Sequence, residues 1–492
     1  MPAIENLQID FAFFASLFGL MLVWMNFMLV IVFAGRVIMK RLPVGASLSW
    51  LIVLLLFPYV GVGLYILFGE RYLGSKRRRR QEKQLSSYQQ VKMDGEALQV
   101  RILDRIHDGG QALANYELSA TGLPAIGGNT VAFLNSADDT IRAMVEDIDQ
   151  ATEFCHLEFY IWHPGGQADQ VAEALVRAKE RGVVCRVMLD AVGSQTFFRS
   201  SLARLLRKHQ IRVIKACPIR FIPWRLARYD LRNHRKMVVI DGRVSYIGSF
   251  NLIDPRFFKQ DQGVGEWIDV MARIEGPSVK VFDGVYRWYW NIEAGEHLAL
   301  SPQDIEPDDR AAVIQAAPSG PDVEKESILN SLLQAIYSAR QEILIVTPYF
   351  VPGEVLSQAL RIAARRGVKV SLILPKRVDS FLVRYASRSY FEELLQVGVN
   401  IYQYDKGLLH TKCVLIDGRL SFFGTVNMDL RSLWLNFEMT LIVYDAQTTG
   451  VLQSIVEGYI ADSALLDPAA WEQRSLRKRF VENVMHLFSP LI

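Results

Sequence analysis

Two stretches of this chain carry the same polar residues at the same spacing. One reads Asn233-His234-Arg235-Lys236-Met237-Val238-Val239-Ile240-Asp241-Gly242-Arg243, followed by Gly248-Ser249-Phe250-Asn251. The other reads Leu409-His410-Thr411-Lys412-Cys413-Val414-Leu415-Ile416-Asp417-Gly418-Arg419, followed by Gly424-Thr425-Val426-Asn427. Both are H-x-K-x-x-x-x-D, and in each the asparagine stands seventeen residues after the histidine. A single copy would read as a core histidine, a surface lysine and a turn aspartate; two matched copies point to chemistry. His and Lys two apart on an extended strand face the same side, so each copy presents an imidazole beside an ammonium. That pair suits a phosphate. Imidazole, with an ordinary pKa of about 6.5, serves as neutral nucleophile or as protonated acid, while an ammonium gathers charge on phosphoryl oxygens. Asp-Gly predicts a tight turn that sends the chain back as a hairpin. Asn251 and Asn427 are then expected on the returning strand, with an amide N–H toward a phosphoryl oxygen. Their turn position suggests that Asp241 and Asp417 order the loop more than they touch substrate. A metal site is the rival for any His/Asp cluster, but lysine occupies the place of a ligand and no third donor arrives at zinc-like spacing, so no metal is expected.

The elements that must position these groups are α/β in pattern. Beyond about residue 120, amphipathic helices alternate with short β-branched runs. Helix is predicted over residues 140–151, strand over 155–162, helix over 167–181 and strand over 183–189. The plan recurs as helix 326–339, strand 342–350, helix 353–366 and strand 368–374. A chain of 492 residues should hold several domains. The expected division is a membrane hairpin over 1–72, a basic connecting segment over 73–120, a first lobe over 121–310 and a second over 311–492.

The apolar residues, 50% of the chain, exceed what the lobes require. Residues 11–35 and 44–69 contain no charge, and each run is longer than the roughly 20 residues that cross a bilayer as a helix. Glu5 and Asp10 precede the first run with no Lys or Arg, unlike a signal peptide. Two transmembrane helices are therefore expected, although Pro58, Gly61 and Gly63 leave a bent, re-entrant second segment open. Arg36, Lys40 and Arg41 lie between the runs; Arg71, Lys76, Arg77, Arg78, Arg79, Arg80 and Lys83 follow them. This excess places the lobes in the cytoplasm, with segment 71–83 against anionic headgroups. The net charge of +3 provides no global field for nucleic acid. Cys155, Cys185, Cys217 and Cys413 lack disulfide or C-x-x-C spacing and are assigned no chemistry.

The doubled motifs resemble the phospholipase D superfamily over about residues 120–490. The resemblance implies two similar lobes, each a sheet sandwiched by helices, that bring both motifs to one shared active site. It implies that one histidine attacks phosphorus, the other protonates the departing alkoxide, and a covalent phosphohistidine forms without any cofactor. His234 is assigned as nucleophile and His410 as acid, with Lys236, Lys412, Asn251, Asn427, Ser249 and Thr425 around the phosphoryl group. Asp241 and Asp417 complete the catalytic motifs. Family members also place a carboxylate behind each histidine; Glu438 in Asn436-Phe437-Glu438 fits that place, and Asp269 after Trp267-Ile268 is the matching residue of the first half.

Superfamily members include nucleases, kinase-like relatives and toxins. The stretch Pro43-Val44-Gly45-Ala46-Ser47-Leu48-Ser49-Trp50 through Pro58, Gly61, Gly63, Tyr65 and Gly69 resembles the N-terminal membrane module of bacterial cardiolipin synthases. Residues 248–276, with Asp254-Pro255-Arg256-Phe257-Phe258-Lys259-Gln260-Asp261, are similar to that family too. The likeness implies phosphatidyl transfer between two phosphatidylglycerol molecules at a bacterial inner membrane, in a multi-pass protein. A hydrolytic phospholipase D or another phosphatidyltransferase is the alternative, and a nuclease or a non-enzymatic scaffold the more distant rivals. Two segments have compositions suited to the headgroup zone, with ordinary packing equally open: Phe221, Ile222, Pro223, Trp224, Arg225 and Arg228, and the basic stretch 474–488 with Leu476, Phe480, Val484 and Leu487 near helical spacing.

Overall fold

The computed structural model describes residues 2–42, 44–70, 73–84, 99, 102–219, 228–299, 311–324 and 326–489. Arg71 and the segment Phe221, Ile222, Pro223, Trp224 and Arg225 lie outside them. The chain forms two compact units, one of Met1–Ser75 with Ile219–Asp230, the other of Lys76–Pro218 with Leu231–Ile492.

In the first unit, one helix runs over Pro2–Met39, and its Phe13–Met39 portion is long and apolar enough to cross a membrane, with a mean hydropathy of 2.4. The second apolar run departs from the expected spanning helix. It forms a 13-residue helix over Val44–Leu56, about 20 Å long at about 1.5 Å per residue and so short of the ~30 Å hydrocarbon layer. Phe57 leaves helical geometry, with φ −135° and ψ 68°, ahead of Pro58, and a second helix starts there. The break is a sharp bend. A Cβ on Gly61 would lie 2.8 Å from the carbonyl oxygen of Val53, whereas residues eight apart in a straight helix are separated by about 12 Å. Proline removes the hydrogen bond that would carry the helix through, and glycine permits the close approach. Val37, Leu54 and Tyr65 pack as a small core with Phe33, Trp50, Leu51 and Val62. Glu70, after the second run, pairs with Arg36 and Lys40 at the end of the first helix.

The second unit carries one 15-stranded sheet that states the duplication as a palindrome. At its centre Ala125–Leu134 pairs antiparallel with Ala312–Ser319. Outward on the first-half side come Met271–Glu275, Val244–Gly248, Met237–Ile240, Phe154–Phe159, Val184–Asp190 and Arg212–Ala216. On the second-half side come Glu438–Val443, Leu420–Gly424, Cys413–Ile416, Glu342–Val346, Lys369–Pro375, Asn400–Tyr404 and the edge strand Ser463–Leu465. The helices Ala137–Asp149, Asp169–Glu180, Ser327–Ser338 and Gly353–Arg365 match the predicted repeat to within a few residues. Their apolar faces join separate cores, one with Ile141, Met144, Val171 and Leu175, the other with Leu329, Leu332, Leu356 and Leu360.

The expected linker belongs to this body. Ile102, Ile106 and Leu113 lie in the second-half core. Of the basic run, Arg77 pairs with Glu293 and Asp322, and Arg80 donates to the carbonyls of Ile292 and Glu293 at the end of the helix Ser278–Ala294. Those two side chains are engaged within the protein, which corrects the expectation that the whole run faces headgroups.

Both Asp-Gly turns form. Asp241 and Gly242 have φ +51° and +62°, and Asp417 and Gly418 +51° and +64°, the doubly left-handed backbone of a type I′ hairpin. Asp241 accepts from the backbone N–H groups of Thr152, Glu153 and Phe154, and Asp417 from those of Arg340, Gln341 and Glu342. Each aspartate ties its hairpin to the loop before the neighbouring strand. The strand residues Met237–Ile240 and Cys413–Ile416 lie between these aspartates and the His-Lys pairs, about 13 Å of extended chain at about 3.3 Å per residue. Asp241→Ala and Asp417→Ala should each remove about 1–3 kcal/mol of stability by orphaning backbone donors, seen as a lower unfolding midpoint in detergent; unaltered midpoints would contradict this role.

Candidate active site

Each motif is held by the other half of the chain. His234 N–H donates to Phe437 O at 2.9 Å, and Phe437 N–H to Arg232 O at 2.9 Å. In the second motif His410 N–H donates to Ile268 O at 2.8 Å, and Leu408–Leu409 pairs in parallel with Trp267–Ile268. These pairings put a carboxylate of one half behind the imidazole of the other. His234 Nδ1 lies 2.8 Å from Glu438 Oε2, and His410 Nδ1 lies 2.7 Å from Asp269 Oδ1. Each half thus supplies the carboxylate for the other half's imidazole. An ionised carboxylate only accepts, so Nδ1 carries the proton and each Nε2 keeps its lone pair.

The hydroxyls expected at substrate are engaged within the protein instead. Thr425 Oγ1 donates to Glu438 Oε2 at 2.5 Å, Ser249 Oγ donates to Val270 O at 3.2 Å and accepts from Val270 N–H, and both side chains are fully buried. Asn251 and Asn427 follow the returning strands, which end at Gly248 and Gly424. Asn251 accepts from Ile161 N–H through Oδ1 and has no partner for its Nδ2 group. Asn427 is the reverse, with its amide engaged by Asp429 and Oδ1 unpartnered. Lys236 Nζ donates to His234 O at 2.7 Å, and Lys412 Nζ to His410 O.

Burial dominates the electrostatics. It pushes both imidazoles down to about 4, against the pull of their carboxylates and with help from the lysines of both motifs. Lys412 acts on His234 and Lys236 on His410, so the two halves share one electrostatic site. Burial also lowers Lys236 to about 8 and Lys412 further, with repulsion from Lys236 adding to the latter. Burial alone would raise Glu438 and Asp269, but the paired imidazole, the neighbouring lysine and a hydroxyl outweigh it and hold both below the usual carboxylate range. At neutral pH the resting site thus holds neutral imidazoles beside lysines whose hold on their protons is weakened. An arriving phosphodiester anion would raise all four groups toward protonation.

Sequence reasoning missed part of this framework. Arg235, the unassigned residue within H-x-K, is fully buried; its Nε donates to Glu438 O at 2.8 Å and its guanidinium lies 3.6 Å from the centre of the Tyr289 ring. Asn233 N–H donates to Asp190 Oδ2 at 2.9 Å and its amide to Glu158 Oε1 at 2.7 Å. Asp190, raised to about 6 by burial, also receives Val192 and Gly193 N–H. Trp267 lies against His410 with ring centres 4.3 Å apart and planes tilted by 43°, and Tyr160 meets His234 edge-on at 4.9 Å. The signal available for Arg235 and Asn233 was adjacency to the motif; Asp190, Glu158 and Tyr160 gave none. Among the described residues no three His, Cys, Asp or Glu side chains gather as a metal's ligand shell.

Comparison with known proteins follows the same lines. The model of the cardiolipin synthase, phospholipase D-like domain matches residues 144–267 and 332–460, and that of the phospholipase D-nuclease N-terminal region matches residues 28–70. The chain is 45% identical over 464 residues to cardiolipin synthase A of Edwardsiella ictaluri, covering 93% of this chain and 95% of that one. It is 44% identical over 461 residues to cardiolipin synthase A of Citrobacter koseri, with the same coverage. The crystal structure of phosphatidylserine synthase from Haemophilus influenzae superposes with a TM-score of 0.57 at 13% identity, over 78% of this chain and 98% of that one, a likeness of fold.

Glu438→Gln and Asp269→Asn keep shape but remove the charge behind each imidazole. Each should lower kcat by about 100-fold or more with little change in unfolding midpoint; activity within about threefold of the parent would argue against the exchange. The histidines also carry a pH signature. Between 6.5 and about 4 the unfolded chain binds protons that these folded imidazoles refuse, so they withdraw stability as pH falls through that window. Imidazole NMR titration should find both midpoints well below 6.5, and ordinary midpoints would contradict the burial argument.

Proposed function

The chain belongs to the cardiolipin synthase family of phospholipase D-like proteins, and from that premise we propose that it moves a phosphatidyl group from one phosphatidylglycerol to another, giving cardiolipin and glycerol. The carrying observation is the exchanged support of two buried imidazoles, each held with Nε2 free, beside two lysines. In this reading His234 Nε2 attacks phosphorus and the P–O bond to the departing glycerol breaks. His410, protonated once the phosphodiester anion is bound, gives its proton to that oxygen. The phosphatidyl-histidine is then attacked by a hydroxyl of the second phosphatidylglycerol. His410 takes up that hydroxyl's proton as the P–N bond breaks, returning both residues to their starting states. Lys236, Lys412 and the unpartnered amide of Asn251 gather charge on the equatorial oxygens. Transfer prevails over hydrolysis where the lipid hydroxyl is positioned and water excluded.

We read the inner-membrane attachment as one crossing by Phe13–Met39 with a re-entrant second segment. Glu70 meets Arg36 and Lys40, which fits both ends of that segment on one face, whereas a spanning hairpin would part them by the ~30 Å hydrocarbon layer. The basic groups on both sides of the segment then share the cytoplasm with the catalytic body. A membrane-impermeant maleimide should label Ala3→Cys in intact spheroplasts and Lys83→Cys only after lysis; protection of both positions would restore the hairpin.

Purified protein given phosphatidylglycerol should release glycerol and cardiolipin in equal amounts, with chelator having little effect. His234→Ala and His410→Ala should abolish both products. Phosphatidic acid as the dominant product would make the protein a hydrolase instead.

A further inference from the structure

The C-terminal helix Leu476–His486 presents an apolar stripe outward. Leu476, Phe480 and Leu487 are 81%, 69% and 75% exposed, and at about 100° per residue they fall within about 40° of one another. The orientation is fixed from behind. Arg474 pairs with Glu392 and with buried Glu482, each at 3.2 Å, while Arg479 also pairs with Glu392. The only acid on this helix is therefore turned inward, and Arg477 stands exposed beside the stripe.

The same character continues where this helix packs on its neighbour, Phe381–Ser389. That neighbour begins with exposed Phe381 and Leu382 and carries exposed Arg384. The loop that leads into it borders the catalytic site through a chain of contacts. Asp379 accepts from Tyr349 at 2.6 Å and pairs with Lys259 at 3.4 Å. Lys259 Nζ lies 5.6 Å from the centre of the Trp267 ring, which lies against His410 at a tilt of 43°. A fixed helix with apolar residues outward, cations alongside and no outward acid has the make-up of an interfacial helix on an anionic bilayer.

We propose that the outer face of helices Leu476–His486 and Phe381–Ser389 is a second membrane-contact surface, which seats the rim of the catalytic site on anionic lipid. It rests on the reading of the substrate as a membrane phospholipid. Its occupant is the bilayer surface. The apolar stripe sinks to the acyl boundary, and Arg477 and Arg384 meet phosphate groups. The headgroup of a lipid in the same leaflet then reaches the two imidazoles without leaving the membrane.

The test uses the full chain with Cys217→Ser, reconstituted in vesicles of phosphatidylcholine with phosphatidylglycerol. An environment-sensitive fluorophore is placed at Phe480→Cys, at Leu487→Cys, or at Ser454→Cys on the helix Ala446–Ala461 for comparison. Spin-labelled acyl chains should quench the first two several-fold more than the third, and quenching should weaken in pure phosphatidylcholine or high salt. Leu476→Glu with Phe480→Glu should raise the apparent KM, in surface concentration of lipid, by about tenfold and leave kcat within about twofold. Equal quenching at all three positions overturns the proposal. So does shielding of Phe480→Cys without lipid together with crosslinking between copies, which would make the face a protein interface. The quenching arm needs no turnover, so its failure is distinct from failure of the phosphatidyl-transfer reading.

Discussion

Neither histidine is oriented by its own half of the chain. His234 depends on Glu438 and His410 on Asp269, and the backbone pairings of Phe437 with His234 and of Ile268 with His410 supply those carboxylates. One half alone would offer an imidazole with no fixed tautomer and a carboxylate with no partner. The palindromic sheet, joined at its centre by Ala125–Leu134 and Ala312–Ser319, is the scaffold that makes the exchange possible. Gene duplication within one chain thus gives a site whose two sides are alike in chemistry yet free to differ in role.

Burial sets the energetics of that site. Two imidazoles, two ammonium groups and two carboxylates are almost fully enclosed, an arrangement that is costly while no anion is present. The cost appears as lowered affinity of the histidines and lysines for protons. A phosphodiester reverses it, because its negative charge favours the protonated form of each group. In the proposed mechanism, substrate binding would thereby favour uptake of a solvent proton by His410, which passes it to the leaving alcohol.

Much of this was legible in the sequence because it is local. The H-x-K spacing, the Asp-Gly turns and the helix-strand alternation each follow from the nearest few residues, and all three recur in the fold. What escaped was set by contacts distant along the chain. Glu438 and Asp269 were identifiable as orienting carboxylates, but their exchange between halves is a property of sheet topology. Ser249 and Thr425 sit in the motif, yet Thr425 turns its hydroxyl to Glu438 and Ser249 to the backbone of Val270, contacts made just past the ends of their strands. Arg235 was passed over because alternation on a strand would point it away, whereas the strand proper begins only at Met237. In the membrane unit, composition could count apolar residues but could not weigh Pro58 and Gly61 against the length of the run.

The central claim is that the two imidazoles act on one phosphorus atom, one bonding to it while the other moves the proton. A phosphatidyl ester of p-nitrophenol tests it directly, since that leaving group departs without an acid. With His410→Ala protein in a single turnover, the account predicts a burst of p-nitrophenol and an acid-labile phosphatidyl adduct on the peptide containing His234, with no adduct on His234→Ala protein. An adduct that persists in His234→Ala protein, or a burst with no covalent protein species, would contradict it.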